Sequence, residues 1–281
     1  MERQLILISN PGNPNDTNYI KASEDAIETW KEFFCSPIGG YWQEKEIQYY
    51  GESNPISPDE LRRLMVPLNS VQCNYSVIVF CGHGGCTSDE KDAIQLPIPT
   101  DGNINLFPVD ELLGEGLPFV KRTVILDACR TLIPYTSKML FEGRMYSDIF
   151  KLEGFSCEEY YNELIEKADP HVEVLYSTSL HQQAFGSMKG SEYTDAMSGT
   201  IIKNFSLWKQ YALYEKYGRF SYSLCELQKD LTTELVNNRN KQIPEYKIKG
   251  KTNSTFPFVA IRMPNDRTIN MDDADVEVTE D

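Results

Sequence analysis

Ser76-Val-Ile-Val-Phe-Cys-Gly-His-Gly-Gly85 and Thr123-Val-Ile-Leu-Asp-Ala-Cys-Arg130 share one pattern, an unbroken apolar run that stops in small and polar residues. Such runs, too short for helices and rich in β-branched side chains, read as strands buried on both faces. Gln4-Leu-Ile-Leu-Ile-Ser9, ended by Asn10-Pro-Gly12, and Val172-Glu-Val-Leu-Tyr176, ended by Ser177-Thr-Ser179, repeat the pattern. With helices between them they predict an α/β fold whose mainly parallel sheet is covered on both faces. Ligands of such sheets bind beyond the carboxyl ends of the strands. That rule singles out the turns at His83, Cys129 and Ser177.

The intervening segments supply the helices. Ala26, Ile27, Trp30, Phe33 and Phe34 recur at helical spacing, and Cys35-Ser-Pro37 and Gly39-Gly40 stop them. A short strand is expected over Glu46–Tyr50. Ser57-Pro58-Asp59-Glu60 carries a helix start: a hydroxyl cap, a proline for the first turn and a carboxylate that reaches back. Further helices are expected near Val109–Leu113, Thr194–Phe205 and Ser223–Asn237, and Thr255–Ile261 reads as the strand that closes the sheet at its edge, where Pro257 is tolerated. The polar, helix-like stretch from Arg130 to His171 reads as an insert or linker.

Charge and cysteine usage exclude several functions. The 281 residues carry 27 basic and 42 acidic side chains, a formal net charge of −15, and six of those acids lie in the last ten residues. A surface of that sign repels phosphates and excludes a nucleic-acid partner, favouring basic peptides instead. No apolar run approaches the length of a membrane span, and no secretory signal opens the chain, so a cytoplasmic location without membrane association is expected. Seven irregularly spaced cysteines do not suit a disulfide scaffold. Cys81, His83 and Cys86 lack a second ligand pair for zinc, so no metal site is assigned to them.

Chemistry centres on two of the turns. Only three histidines exist, and His83 stands between Gly82 and Gly84-Gly85, which let the backbone turn sharply and approach a ligand. Cys129 follows its strand by two residues; a cysteine nucleophile needs a base to take its proton. Alone, His83 reads as a turn residue and Cys129 as a small buried hydrophobe. Together, on neighbouring strand ends, they read as a thiol–imidazole pair, with the N–H groups of Gly84 and Cys129 as candidate donors to an oxyanion.

Phe80-Cys-Gly-His-Gly84 followed by Val124-Ile-Leu-Asp-Ala-Cys-Arg130 resembles the caspase fold of clan CD cysteine peptidases (peptidase C14), metacaspases and bacterial caspase-like proteins in particular. The resemblance extends to Leu175-Tyr-Ser-Thr-Ser179, Ala184-Phe-Gly186, Tyr193-Thr194, Gln242-Ile-Pro244 and Phe256-Pro-Phe258. It implies a three-layer α/β/α sandwich around a mostly parallel six-stranded sheet. The peptidase domain would span residues 1–265, with a large-subunit-like part (1–130), a linker or insert (131–171) and a small-subunit-like part (172–265), followed by an acidic tail (266–281).

The implied activity is peptide hydrolysis through a thioester, with Cys129 as nucleophile, His83 as proton carrier and no cofactor. Substrate would lie extended beside Ser177, Thr178 and Ser179. Asp127 matches an acid that lines the P1 pocket of metacaspase-like members and would bind arginine or lysine; Asp16 is a second candidate acid. The alternative reading of Asp127 is a turn or cap carboxylate, and Arg130 keeps an aspartate-directed, caspase-type specificity open. The acidic loop Ser88–Asp92 with Asp101 resembles a region of metacaspases, some of which calcium activates, although one loop offers few of the oxygens that calcium requires. Lys138, Arg144 and Lys151 are candidate self-cleavage sites. Activation by processing, dimerisation or a protein partner, and a role in regulated cell death or antiviral defence, rest on family analogy. Two other classes stay open: an inactive caspase-fold binding module, which retention of both His83 and Cys129 disfavours, and an oxidation sensor using Cys81, Cys86 or Cys129, which needs an exposed thiol of low pKa.

Overall fold

The computed structural model describes residues 1–12, 19–20, 22–96, 105–114, 116–132, 157–187, 190–214, 218–237 and 242–263. The first part contains β1 (Arg3–Asn10), α1 (Ala22–Cys35), β2 (Ile47–Tyr50), α2 (Pro58–Leu68) and β3 (Tyr75–Gly82). Short strands β4 (Gly84–Cys86), β5 (Asp92–Gln95) and β6 (Leu106–Pro108), helix α3 (Val109–Leu113) and strand β7 (Arg122–Ala128) follow. Then come α4 (Glu158–Lys167), β8 (Val172–Tyr176), β9 (Gly186–Ser187), β10 (Gly190–Ser191) and α5 (Glu192–Tyr214). The chain continues through β11 (Arg219–Ser223), α6 (Leu224–Val236), β12 (Glu245–Lys249) and β13 (Pro257–Arg262).

Six strands form the central sheet in the order β12-β8-β7-β3-β1-β2. Five run parallel, and β12 pairs antiparallel with β8. Alternation along each strand sends side chains to two cores. Leu5, Leu7, Val77, Val79 and Ile125 meet α1, α5, α6 and β13 on one face; Ile6, Ile8, Ile78, Phe80 and Val124 meet α2 and α3 on the other. This is the expected three-layer sandwich. Ser57 caps α2 as expected, accepting from the Glu60 amide while Glu60 returns the bond to Ser57.

Two expectations are corrected. Thr255–Ile261 does not close the sheet: β13 pairs with β11 in a separate two-stranded sheet, and β12 takes the edge. Phe258, Val259, Ala260 and Ile261 are fully buried, which suits a core position, whereas Glu245-Tyr-Lys-Ile-Lys249 carries the charges that blunt an edge. Pro257 is tolerated because it is the first residue of its strand. The predicted helix over Thr194–Phe205 is longer, running from Glu192 to Tyr214. Of the 131–171 insert, α4 is helical, with Tyr161 and Ile165 buried; Lys138, Arg144 and Lys151 lie outside the described residues. Among the described residues no helix is long and apolar enough to cross a membrane.

Candidate active site

Strands β3 and β7 are neighbours, and their carboxyl ends carry the two candidate catalytic residues. Gly82 faces Ala128 in the sheet, and beyond it Cys86 bridges Leu132 in the same parallel sense. Both strands advance by the same number of residues between these pairs, so His83 falls opposite Cys129. Gly82 makes the turn between them: its φ is +146°, and a Cβ there would come within 2.3 Å of the Asn10 carbonyl oxygen. The main chain of His83 is held on two sides, donating to Asn10 O at 3.3 Å and accepting from the Gln95 amide at 2.9 Å. Gly84 packs closely as well, since an added Cβ would sit 2.9 Å from Ala128 Cβ and 3.1 Å from Cys129 O.

The other two histidines are engaged elsewhere. His171 is buried, with Nδ1 2.6 Å from Asp169 O and Nε2 2.8 Å from Glu173 Oε1. His181 places Nδ1 3.7 Å from Cys86 Sγ and Nε2 3.6 Å from Glu90. Of the three histidines, His83 is the one that the strand register sets opposite Cys129.

Cys129 is 5 % exposed, and its sulfur accepts the Ala184 amide at 3.3 Å. Sequence reasoning missed Ala184 as a neighbour of the thiol because it contributes main-chain atoms only. The residues expected beside the substrate make their own bonds within the fold. Ser177 and Thr178 are fully buried; Ser177 N donates to Leu126 O, and Thr178 Oγ1 donates to Ala128 O. Ser179 Oγ donates to Ile243 O. These residues continue the β8–β7 pairing inward, so the segment that reaches the thiol is the one around Ala184.

Asp127, two residues before Cys129, is 1 % exposed. Thr194 Oγ1 donates to its Oδ2 at 2.9 Å and itself accepts from Trp30 Nε1 at 3.0 Å. Burial pushes the carboxyl up to about 6, against the opposing pull of the neighbouring Ser191, Thr194 and Ser177 hydroxyls. Although those serines lie close, neither is aligned to bond Oδ1, which is left without a partner among the described residues. The Ser177 hydroxyl is likewise unpartnered there. Among the described residues the carboxylate's bond is to a side chain, that of Thr194 near the start of α5. Asp16 lies outside the described residues.

Arg130 is committed to structure. Its guanidinium takes both oxygens of Asp92 at 2.8 and 2.9 Å, bonds Glu245 at 2.7 Å and lies 4.0 Å above the Tyr176 ring. These contacts fix the turn after Cys129 to β5, β8 and β12, and they leave Arg130 no free edge for an aspartate side chain. A lysine cannot reproduce a fork shared by two carboxylates. Arg130→Lys is therefore expected to lower stability by about 2 kcal/mol, read as a reduced urea midpoint with an unchanged slope; an unchanged midpoint would show that the pairs contribute little.

The remaining cysteines near the site are poor redox sensors. Cys81 and Cys86 are both buried, and burial drives the Cys81 thiol well up and the Cys86 thiol up as well. Two acids of the loop are paired, Asp89 with Lys91 and Asp92 with Arg130, while Asp101 is outside the described residues. Among the described residues no group of three or more His, Cys, Asp or Glu is placed to hold a metal ion.

The fold is similar to those of solved structures. Caspase-1 from Spodoptera frugiperda superposes with a TM-score of 0.50 at 9% identity, covering 88% of this chain and 86% of that one. Protein GSU0716 from Geobacter sulfurreducens superposes with a TM-score of 0.54 at 12% identity, covering 89% and 94%. At these identities the likeness concerns the fold. No curated protein matches the sequence. The caspase-domain family model matches residues 59–254, which include both strand ends of the site, and the chain thus belongs to the caspase domain family.

Proposed function

We propose that the chain is a cysteine endopeptidase that cleaves after arginine or lysine, with Cys129 as nucleophile and His83 as proton carrier. The observation that carries this reading is the β3–β7 register, which sets His83 opposite Cys129 at the carboxyl edge of adjacent parallel strands. In the first half-reaction the Cys129 proton passes to His83 as sulfur attacks the scissile carbonyl carbon. The oxyanion so formed would be met by the N–H groups of Gly84 and Cys129. His83 then gives its proton to the leaving amine, and a thioester remains on Cys129. Water, deprotonated by His83, attacks the thioester; its collapse releases the carboxylic acid, and the proton returns from His83 to sulfur. No step calls for a cofactor.

Basic specificity follows from Asp127. A buried carboxyl with one unpartnered oxygen, two residues from the nucleophile, gains a charge-assisted bond from a guanidinium or ammonium group. The commitment of Arg130 to Asp92 and Glu245 weighs against the aspartate-directed alternative. A fluorogenic panel scanning P1, run with and without calcium, tests the proposal. Turnover confined to arginine and lysine at P1 is the expected result. A preference for aspartate would overturn the specificity, and no turnover of any peptide would leave a binding module.

A further inference from the structure

Gln242 is 1 % exposed and makes two bonds of opposite sense. Its Nε2 donates to Ser177 O at 2.7 Å, and its Oε1 accepts the Phe185 amide at 3.0 Å. A carbonyl can only accept and an amide N–H can only donate, so this pair of partners fixes the orientation of the carboxamide. The two ends belong to different parts of the site. Ser177 lies beside Asp127, and Phe185 directly follows Ala184, whose own amide points to Cys129 Sγ at 3.3 Å.

Adjacent residues of an extended chain turn their main-chain groups to opposite sides. Ala184 faces the thiol; Phe185 faces away from it, its N–H on Gln242 and its carbonyl on the Glu192 amide at 3.0 Å. Holding Phe185 from behind therefore sets the edge that Ala184 presents to the nucleophile. Ile243 adds to the hold: its carbonyl accepts from Ser179 Oγ at 2.9 Å and its amide donates to Gln182 Oε1 at 3.2 Å.

We propose that Gln242 is a positioning residue that aligns the Ala184 edge with the Cys129 thiol and ties it to the wall beside Asp127. The proposal rests on the peptidase reading above and adds the part that holds the substrate-facing strand in place. The site needs one donor and one acceptor on a single side chain of this length. Gln242→Glu supplies two acceptors at neutral pH, and Gln242→Met supplies neither.

The test uses both variants of the full chain. Turnover of a P1-arginine peptide, as kcat/KM at pH 7.5, is expected to fall about 30- to 100-fold in each, the scale of a misplaced reacting group. Alkylation of Cys129 by iodoacetamide, which needs no alignment, is expected to stay within about threefold of wild type. Protection of the Phe185 amide against deuterium exchange should be lost in Gln242→Met, which offers no acceptor, and kept in Gln242→Glu, whose carboxylate still accepts it while the bond to the Ser177 carbonyl is lost. Acidification protonates the introduced carboxyl and restores a donor, so the deficit of Gln242→Glu relative to wild type should shrink while that of Gln242→Met does not. Unchanged Phe185 exchange in Gln242→Met overturns the proposal, as does an alkylation loss as large as the turnover loss. A wild-type chain that cleaves no peptide overturns the peptidase reading instead, and exchange at Phe185 then decides whether Gln242 holds the Ala184 edge.

Discussion

Cys129→Ala is expected to remove peptide hydrolysis by at least about 10³-fold while leaving the protein folded. The sulfur is the only atom of the side chain that the mechanism uses, and alanine keeps the backbone that β7 presents to β3. Its sulfur accepts the Ala184 amide and lies 3.9 Å from the Ala184 carbonyl oxygen, so the structural loss is weak hydrogen bonding to sulfur and a small cavity. His83→Ala should fall nearly as far, and the double variant no further than the worse single, because thiol and imidazole act as a unit. The measurement is single-turnover hydrolysis of a P1-arginine peptide beside circular dichroism of each variant. Turnover of Cys129→Ala at the wild-type rate would show that another group carries the chemistry.

Asp127→Asn should separate specificity from stability. The amide has the shape of the protonated acid but no charge, so kcat/KM for arginine at P1 is expected to fall about 10²-fold, with neutral P1 residues changed little. Equal losses on both would reassign Asp127 to structure. Stability should move the other way. The native carboxyl holds its proton up to about 6, whereas the ordinary value is 3.8, so the folded state binds more protons between those values. The contribution of Asp127 to stability is thus complete below about pH 4 and is lost as pH rises through 6. Above pH 6 the buried charge costs up to about 3 kcal/mol. Asp127→Asn is expected to recover part of that cost at pH 7.5 and to differ little from wild type at pH 4, as urea unfolding at the two pH values would show. The site would then hold a strained charge that substrate, not the protein, neutralises.

Much of this arrangement is legible in the chain because buried parallel strands leave a strong trace. Ser76–Phe80 and Thr123–Leu126 are apolar without interruption, and each ends where glycine or a polar residue meets the ligand edge. The α2 start at Ser57 is equally plain, since its cap is made by residues three apart. Edge elements leave less. Glu245–Lys249 is short and carries three charges, as suits an edge strand, so it leaves no apolar run like those of the central strands. The partners of Arg130, at Asp92 and Glu245, are brought in by tertiary structure from far along the chain. Ala184 acts through its main chain, for which no side-chain motif exists. Gln242 stood within a recognisable motif, yet its two bonds depend on where Ser177 and Phe185 end up.

The contacts around Arg130 also bear on what happens if the polypeptide is severed between residues 132 and 157. Strand β7 lies before such a nick and β8 after it, yet they remain paired from Arg122–Val172 to Leu126–Tyr176. Arg130 stays bonded to Glu245, and Lys121 stays bonded to the carbonyls of Ile165 and Glu166. Both fragments contribute side chains to the shared interior, so neither could leave without exposing it to water. Proteolysis there would yield a two-piece molecule whose thiol and imidazole, both upstream of the break, keep their relative placement.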